Sequence, residues 1–567
     1  MNRWLLLGLV LLLTGCARTV DPRVLRAGGD WSPPPAYHGN PFGFGGVGAA
    51  YHFVFEPLFS YVPETGQWLP RLGLSYEDEG RTTTVHLRPD NRWHDGSPVT
   101  AEDVRANLLL LILRGHPVGE FCSRIEVVDP LTLRFHWRYL TEDLKTMVLA
   151  ELVYFPAKAF PGPLAVVEDF RRLGLQREQE APPELQKRMA EARQQLLRYR
   201  PELASGTGPF RMTRVTASEM VFEKFAQHPL ASRLDYDQLR VFRIGSNEVG
   251  WAMLLSNQLD FVAMACPIDL TAEIQRKNPN YRVALPADGN EVGFILNSRR
   301  LAPALRQALI LALDRDGVRR IAFPYGETVD DRGLGVLASL RSKWLTAEEL
   351  ATFQPRSHQP EQARQILEKA GYRLVEGRWH DAAGQPLALT VTCRGGYTDF
   401  ILMAEVAAAQ WDRFGIATQI RVVPPDLYPT LLTAGDFQVT ATFGVMHGRF
   451  VTPVAGLERF FYPGNEVNKA MGLPPRLEVD GERFSSDQLI RSLRREEDPT
   501  RLRRGVYLLS RALYDQAVYL PVFEKRNPMF YAEGPVVHGW PDNQDPTWSN
   551  VVCGAEQTFL DVLLFDQ

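Results

Sequence analysis

Long apolar runs are almost missing from this chain of 567 residues; apart from Leu5–Leu13, no stretch comes near the length that spans a membrane. Even that run is short for a bilayer crossing, so the body of the chain is expected to be soluble. Cysteine is scarce too: after Cys16 only Cys122, Cys266, Cys393 and Cys553 remain. Four cysteines allow three complete pairings, and free buried thiols are as consistent with the sequence as disulfides. Excess positive charge is absent, with a formal net charge of −4 and no long basic stripe, which argues against a nucleic-acid partner. The eleven histidines are scattered and form no His-Glu-x-x-His pair. Gly-x-x-x-x-Gly-Lys-Ser/Thr and Gly-x-Ser-x-Gly are also missing, which removes the common local signatures of zinc proteases, P-loop enzymes and α/β-hydrolases. No catalytic residue, metal site or cofactor is expected.

What is present begins at the N-terminus. Arg3, the apolar Leu5–Leu13 and the ending Leu13-Thr14-Gly15-Cys16 read as an export signal over residues 1–15. The ending resembles the bacterial lipobox, which implies that Cys16 is lipidated and becomes the mature N-terminus; an ordinary signal with an incidental cysteine is the alternative. Several acyl chains, at about 0.8 kcal/mol per buried methylene, suffice for stable anchoring. Cleavage would remove Arg3 and move the net charge from −4 to −5.

The length suggests two or three domains, and an apolar content of 45% is ample for their cores. Residues 18–48 are rich in Pro and Gly and read as a tether followed by irregular structure. The most informative stretch is Leu87–Val104. A strand over Thr82–Leu87 is expected to lead into the turn Pro89-Asp90-Asn91 and a second turn at Asp95-Gly96. Thr100 then caps a helix from Ala101, with Asp103 as the short form of a capping-box partner. Val104, Leu108, Leu111 and Ile112 share one face of that helix, and Trp93, His94 and Asp95 read as structural. Pro182–Tyr199 is expected to be a helix lying against a domain surface.

Further segments recur in order: Phe55-Glu56-Pro57-Leu58-Phe59, Leu69-Pro70-Arg71-Leu72, Gly206-Thr-Gly-Pro-Phe210, Leu305 to Arg315, Pro360 to Tyr372 and Tyr519-Leu520-Pro521-Val522. Together with Leu87–Val104 they resemble the family 5 extracellular solute-binding proteins, receptors for oligopeptide, dipeptide and nickel ABC importers. The resemblance runs from about residue 50 to 525. It implies an α/β, two-lobed fold like the type II periplasmic binding proteins, with an inserted subdomain and a central ligand cleft. Lobe I would comprise 17–50, 204–290 and 520–567, the inserted subdomain 51–203, and lobe II 291–519. It further implies a monomeric, lipid-anchored extracytoplasmic binder at the cell membrane or in the periplasm, serving permease and ATPase subunits on separate chains. A surface sensor with the same fold and an exported hydrolase are the alternatives.

The site candidates follow from the same resemblance. Gly43-Phe-Gly45-Gly46-Val-Gly48 satisfies Gly-x-Gly-x-x-Gly, but prolines rather than a buried strand precede it, so a dinucleotide role is not expected. The family's corresponding loop lines the cleft, which makes Phe44, Gly45, Gly46 and Val47 contact candidates; a plain flexible loop is the other reading. In the segment resembling the lobe II strand that enters the cleft, Phe443 and Val445 are candidates, with Val445 where the family has tryptophan. His447-Gly448-Arg449 stands where peptide receptors place the aspartate that holds an α-ammonium group. A cation there reverses the sign of the interaction. The expected ligand is therefore peptide-like or otherwise polar, with a carboxylate, phosphate or oxygen-rich group toward Arg449 or His447. Glu291 is the alternative amine anchor.

Overall fold

The computed structural model describes residues 21–565 except 44, 45, 449, 535 and 554, and leaves aside the side chains of 470, 550–553, 555 and 556. The export segment, Cys16, Phe44, Gly45 and Arg449 lie outside the described residues, as does the side chain of Cys553.

Two mixed sheets dominate. The first has seven strands in the order Phe210–Val215, Glu219–Lys224, Gln238–Arg243, Val24–Gly29, Phe261–Ala263, Met529–Ala532 and Tyr281–Ala284. The second has six: Glu327–Thr328, Tyr519–Arg526, Ala287–Leu296, Val439–Met446, Ala388–Arg394 and Ala417–Val423. Each contains a parallel core, Val24–Gly29 with its two neighbours in the first and Ala388–Arg394 with its two in the second. Separate apolar cores cover the faces of each sheet.

The chain passes between the sheets at residues 285–286 and again at 527–528, and Asn527 N–H donates to the Pro286 carbonyl at 2.9 Å. The second passage comes later than a boundary at 519–520. Tyr519–Arg526 is a buried apolar strand that pairs with Ala287–Leu296, so its residues complete the second sheet before the chain returns.

Between strands Val24–Gly29 and Phe210–Val215 of the first sheet the chain builds a subdomain. A four-stranded antiparallel sheet, Gly73–Glu79, Thr82–Leu87, Thr132–Trp137 and Cys122–Asp129, is packed by helices Ala101–Ile112, Pro161–Arg172 and Pro183–Arg198. Thr82–Leu87 and the Ala101 helix start stand where the sequence pattern put them. The capping box is complete: Asp103 N–H donates to Thr100 Oγ1, and Thr100 N–H to Asp103 Oδ2 at 2.8 Å.

The Leu87–Val104 block acts as a clamp. Gly206 N–H donates to His94 Nδ1 at 3.2 Å, and His94 Nε2 bonds the Gly208 carbonyl at 2.9 Å, so the ring is held as the Nε2–H tautomer. Gly206 and Gly208 run against the backbone of Phe53 and Val54, where a Cβ would meet carbonyl oxygens at 2.3 and 2.4 Å. Glycine is required there by close approach. Trp93 packs in the subdomain core and exposed Asp95 bonds Ser97, which leaves all three block residues in structural roles. Beneath the same junction, buried Arg71 bonds Glu56 and Asp561, each at 2.7 Å, and His228 lies 3.1 Å from Glu56.

Candidate functional site

The C-terminal ends of parallel strands leave an open crevice in α/β sheets, because the connections to the following helices diverge there. In this chain those ends are Gly29, Arg243 and Ala263 in one lobe and Arg394, Val423 and Met446 in the other. They approach each other. Asn247, just past Arg243, donates to Thr398 Oγ1 at 3.1 Å, and Tyr325 OH bonds Thr271 Oγ1 at 2.6 Å across the same gap.

Two cavities lie between the lobes. The larger, about 770 Å³, is bounded by the passage Leu285–Ala287, Gly289, Lys343, the loop at His447 and Gly448, and Trp548 from the C-terminal segment. The smaller, about 470 Å³, is lined by Trp251, Cys266 and Asp269 from lobe I and by Phe323, Tyr325 and Asp399 from lobe II.

Of the candidates drawn from sequence, His447 lines the larger cavity, its N–H bonded to the Gly289 carbonyl at 2.9 Å. Burial, aided by the neighbouring Lys343, pushes its imidazole down to about 4, against a backbone hydrogen bond with Phe450. His447 is therefore neutral at pH 7 and supplies no cation, which corrects its expected role toward an anion; a neutral ring still offers a polar nitrogen.

Phe443 and Val445 part company. Simple alternation would place both on one face of their strand, but the register against Ala287–Leu296 shifts between Glu291 and Val292, leaving Gly444 as the extra residue. Phe443 consequently packs on Phe400 with ring centroids 5.0 Å apart, toward the smaller cavity, whereas Val445 turns into the opposite core against Gly456. A Cβ on Gly444 would meet the Tyr519 ring at 2.1 Å, so the bulge and the glycine come together.

Glu291 is fully buried behind the cleft, paired with Arg341 at 3.4 Å and opposite Glu524 in register. Burial, reinforced by Glu524 and opposed by Arg341, pushes it up to about 7. With no exposure and a place in the lining of neither cavity, Glu291 is not placed to anchor a ligand amine. Val47 is another core residue, at φ 48 and with no exposure, and Gly46 bonds back to the Gly43 carbonyl; neither lines either cavity.

Residues that sequence reasoning passed over include Asp399, which lines the smaller cavity, and its partner Lys525. Lys525 and Asp399 form an ion pair at 3.1 Å. The ammonium lies 5.6, 5.8 and 5.4 Å from the ring centres of Phe323, Phe400 and Phe443. The available signal was charge at the ends of apolar elements: Lys525 closes the run Tyr519–Phe523 after Glu524, and Asp399 opens the helix Thr398–Phe414.

With this geometry in place, comparison with known proteins is decisive. Residues 67–468 match the bacterial extracellular solute-binding proteins, family 5 Middle. The chain belongs to that family. A nickel-binding periplasmic protein of Escherichia coli K12 is 23% identical over 496 residues, covering 83% of this chain and 84% of the relative. A glutathione-binding protein of Salmonella typhi is 23% identical over 309 residues, 53% of this chain, and the matched part spans about half of that relative, 52%. The fold is shared with a mannohexaose-bound periplasmic oligopeptide-binding protein of Thermotoga maritima, with a TM-score of 0.73, 22% identity, and coverage of 96% of this chain and 98% of that one. The family 5 assignment accounts for the two sheets, the double passage and the subdomain seen here.

Proposed function

We propose that this family 5 protein is the solute-capturing subunit of an ABC importer, tethered outside the cytoplasm by lipid on Cys16. It closes its lobes over a peptide-like or other polar small ligand and delivers it to permease and ATPase subunits on separate chains. The observation that carries this reading is the pair of cavities at opposed strand ends beside two short passages of chain. Two such passages serve as a hinge, and closing around a ligand removes water from the contact.

The ligands named for the three relatives, nickel, glutathione and mannohexaose, share little chemistry, so likeness of fold does not select among them. Selection rests on the cleft's own side chains. With His447 neutral, a carboxylate, phosphate or oxygen-rich group of the ligand is assigned to Arg449, whose fork of donors suits such groups.

The reading is tested by purifying the protein without its lipid, denaturing it and identifying the released small molecules by mass spectrometry. A bound polar solute, whose uptake is lost when the gene is deleted, is expected. Release of nothing, together with no thermal stabilisation by a small-molecule extract of the source cells, would overturn the reading, and so would turnover of the solute. Arg449→Ala should weaken binding of the identified solute about tenfold or more, the scale of a lost charge-assisted hydrogen bond; unchanged affinity would remove Arg449 from the site.

A further inference from the structure

The subdomain belongs to lobe I by chain and by packing. It leaves and rejoins that lobe between Val24–Gly29 and Phe210–Val215, and the His94 and Arg71 contacts fasten it there. The chain reaches lobe II from the subdomain only by way of lobe I, yet side chains join the two directly. Asp143, in the first turn of the helix Glu142–Leu149, accepts the Val451 N–H at 2.6 Å and the Thr452 N–H at 2.9 Å through one oxygen. Its other oxygen accepts the Thr452 hydroxyl. From the lobe II side, Glu497 accepts the Leu140 N–H at 2.8 Å and pairs with Arg81, and Arg495 pairs with Glu120.

The segment that Asp143 grips is a wall of the cleft. Phe450 and Val451 line the larger cavity, after His447 and Gly448 in the same lining. Phe450 has a second side: with Asp143, Leu144 and Met147 it bounds a void of about 50 Å³ at the subdomain surface. It thus stands between cleft and subdomain. The subdomain also reaches the cavity itself, since the helix Glu142–Leu149 packs beside strand Phe59–Val62, whose following turn Pro63–Gly66 belongs to the lining. Local sequence does little to hold the gripped segment, because the helix Val454–Phe461 that follows starts at Pro453 without a side-chain cap. A carboxylate that accepts two backbone N–H groups and a hydroxyl fixes all three, and charge-assisted bonds of this kind are the strong ones.

We propose that Asp143 is a positioning residue for solute capture: it latches the subdomain to Phe450–Thr452 and holds that wall of the larger cavity closed. Solute is retained while the contact lasts, and its release requires the subdomain and lobe II to part. This role rests on the interlobe cleft being the site of capture, whereas the contact itself can be read with no solute present.

Hydrogen exchange resolved to single amides, on the chain purified without its lipid, tests the latch. In Asp143→Ala the Val451 and Thr452 amides should exchange about tenfold faster or more, as local opening no longer breaks the carboxylate's bonds. The Leu140, His447 and Gly448 amides should follow, because their bonds to Glu497 and Gly289 loosen when the two surfaces part. Gly206, held by His94, and Asn527, bonded to Pro286, should exchange as before. Thr452→Val should show a smaller acceleration at the same amides, and Thr452→Ser, which keeps the hydroxyl, none. Unchanged exchange at Val451 and Thr452, or acceleration confined to those two amides, overturns the proposal. Acceleration that includes Gly206 also overturns it, since the subdomain itself has then loosened. If Asp143→Ala does not fold, the Thr452→Val and Thr452→Ser pair decides on the same amides. Solute that co-purifies should survive extended dialysis about tenfold less well in Asp143→Ala, the scale of a lost charge-assisted bond; equal retention overturns the retaining role. Failure of the functional reading looks different: no solute is released from either protein, while the exchange rates still report the latch.

Discussion

At the scale of single residues, His94 shows how a side chain chosen for structure acquires a pH signature. Both ring nitrogens are committed to the backbone of the Gly206–Gly208 turn, and burial pushes the imidazole down to about 4, with the Gly208 hydrogen bond pulling the other way. A histidine depressed in the folded state costs nothing above its unfolded value near 6.5. As the pH falls from there toward 4 the unfolded chain takes up a proton that the folded chain refuses, and stability drops. His447 adds a second loss over the same window. Each shift from 6.5 to about 4 corresponds to roughly 3 kcal/mol at most. Buried Glu291, pushed up to about 7, contributes the opposite slope over the same window, so the histidine effect is read as a difference: between pH 7 and 4 the thermal midpoint of the unaltered protein should fall relative to that of His94→Gln. His94→Ala should cost about 1–3 kcal/mol at neutral pH by leaving a buried N–H and carbonyl unpaired. A difference between the two proteins that stays level across this range would contradict the buried neutral His94 ring. That Trp93, His94 and Asp95 serve the fold was legible in the sequence, since a tryptophan between turn signals and a capped helix makes no catalytic set. The partner turn, more than a hundred residues away, was not legible as the thing they grip.

At the scale of elements, the junction between the subdomain and lobe I depends on buried charge. Arg71 and Glu56 come from two short motifs, and Asp561 from the C-terminal helix Ala555–Phe565. Burial works against ionisation of Glu56, but His228 and Arg71 outweigh it and hold the carboxyl down at about 2. Arg71→Met keeps much of the volume while stranding two buried carboxylates, and should destabilise the protein by about 3–5 kcal/mol. Urea unfolding measures this; a loss below about 1 kcal/mol would mean that the network contributes packing only. The strand Val439–Met446 teaches a different lesson. Its existence was implied by the family resemblance, but the facing of Phe443 and Val445 was not. One extra residue at Gly444 reverses the alternation, and a bulge is a property of two paired strands. For the same reason, strand Tyr519–Arg526 belongs to the second sheet: only its partner Ala287–Leu296 decides where the chain leaves that lobe.

At the scale of the molecule, the lobes meet through the two passages and through the hydrogen bonds Asn247–Thr398 and Tyr325–Thr271. Both bonds sit in the gap that the proposed motion closes. Tyr325→Phe combined with Thr398→Ala should weaken ligand affinity severalfold to about thirtyfold, at roughly 1 kcal/mol per bond, while leaving the melting temperature of the ligand-free protein nearly unchanged. Small-angle scattering with and without the identified solute should show compaction on binding, reduced in the double variant. Equal affinity and equal compaction in the two proteins would show that these bonds play no part in closure.

The amino-acid sequence by itself determined the family, the α/β class, the Thr82–Leu87 strand, the Thr100 cap and the order of motifs. These are written in local patterns: alternation, caps, turn residues and short runs that keep their spacing. Tertiary structure alone decided which charges share a cleft. Asp399 and Lys525 lie in separate segments and become partners because one sheet sets the end of a strand beside the start of a helix. It also took His447 out of the ionised state and Glu291 out of the cleft, because ionisation depends on how much water and which partners surround a group, and chain order does not specify either.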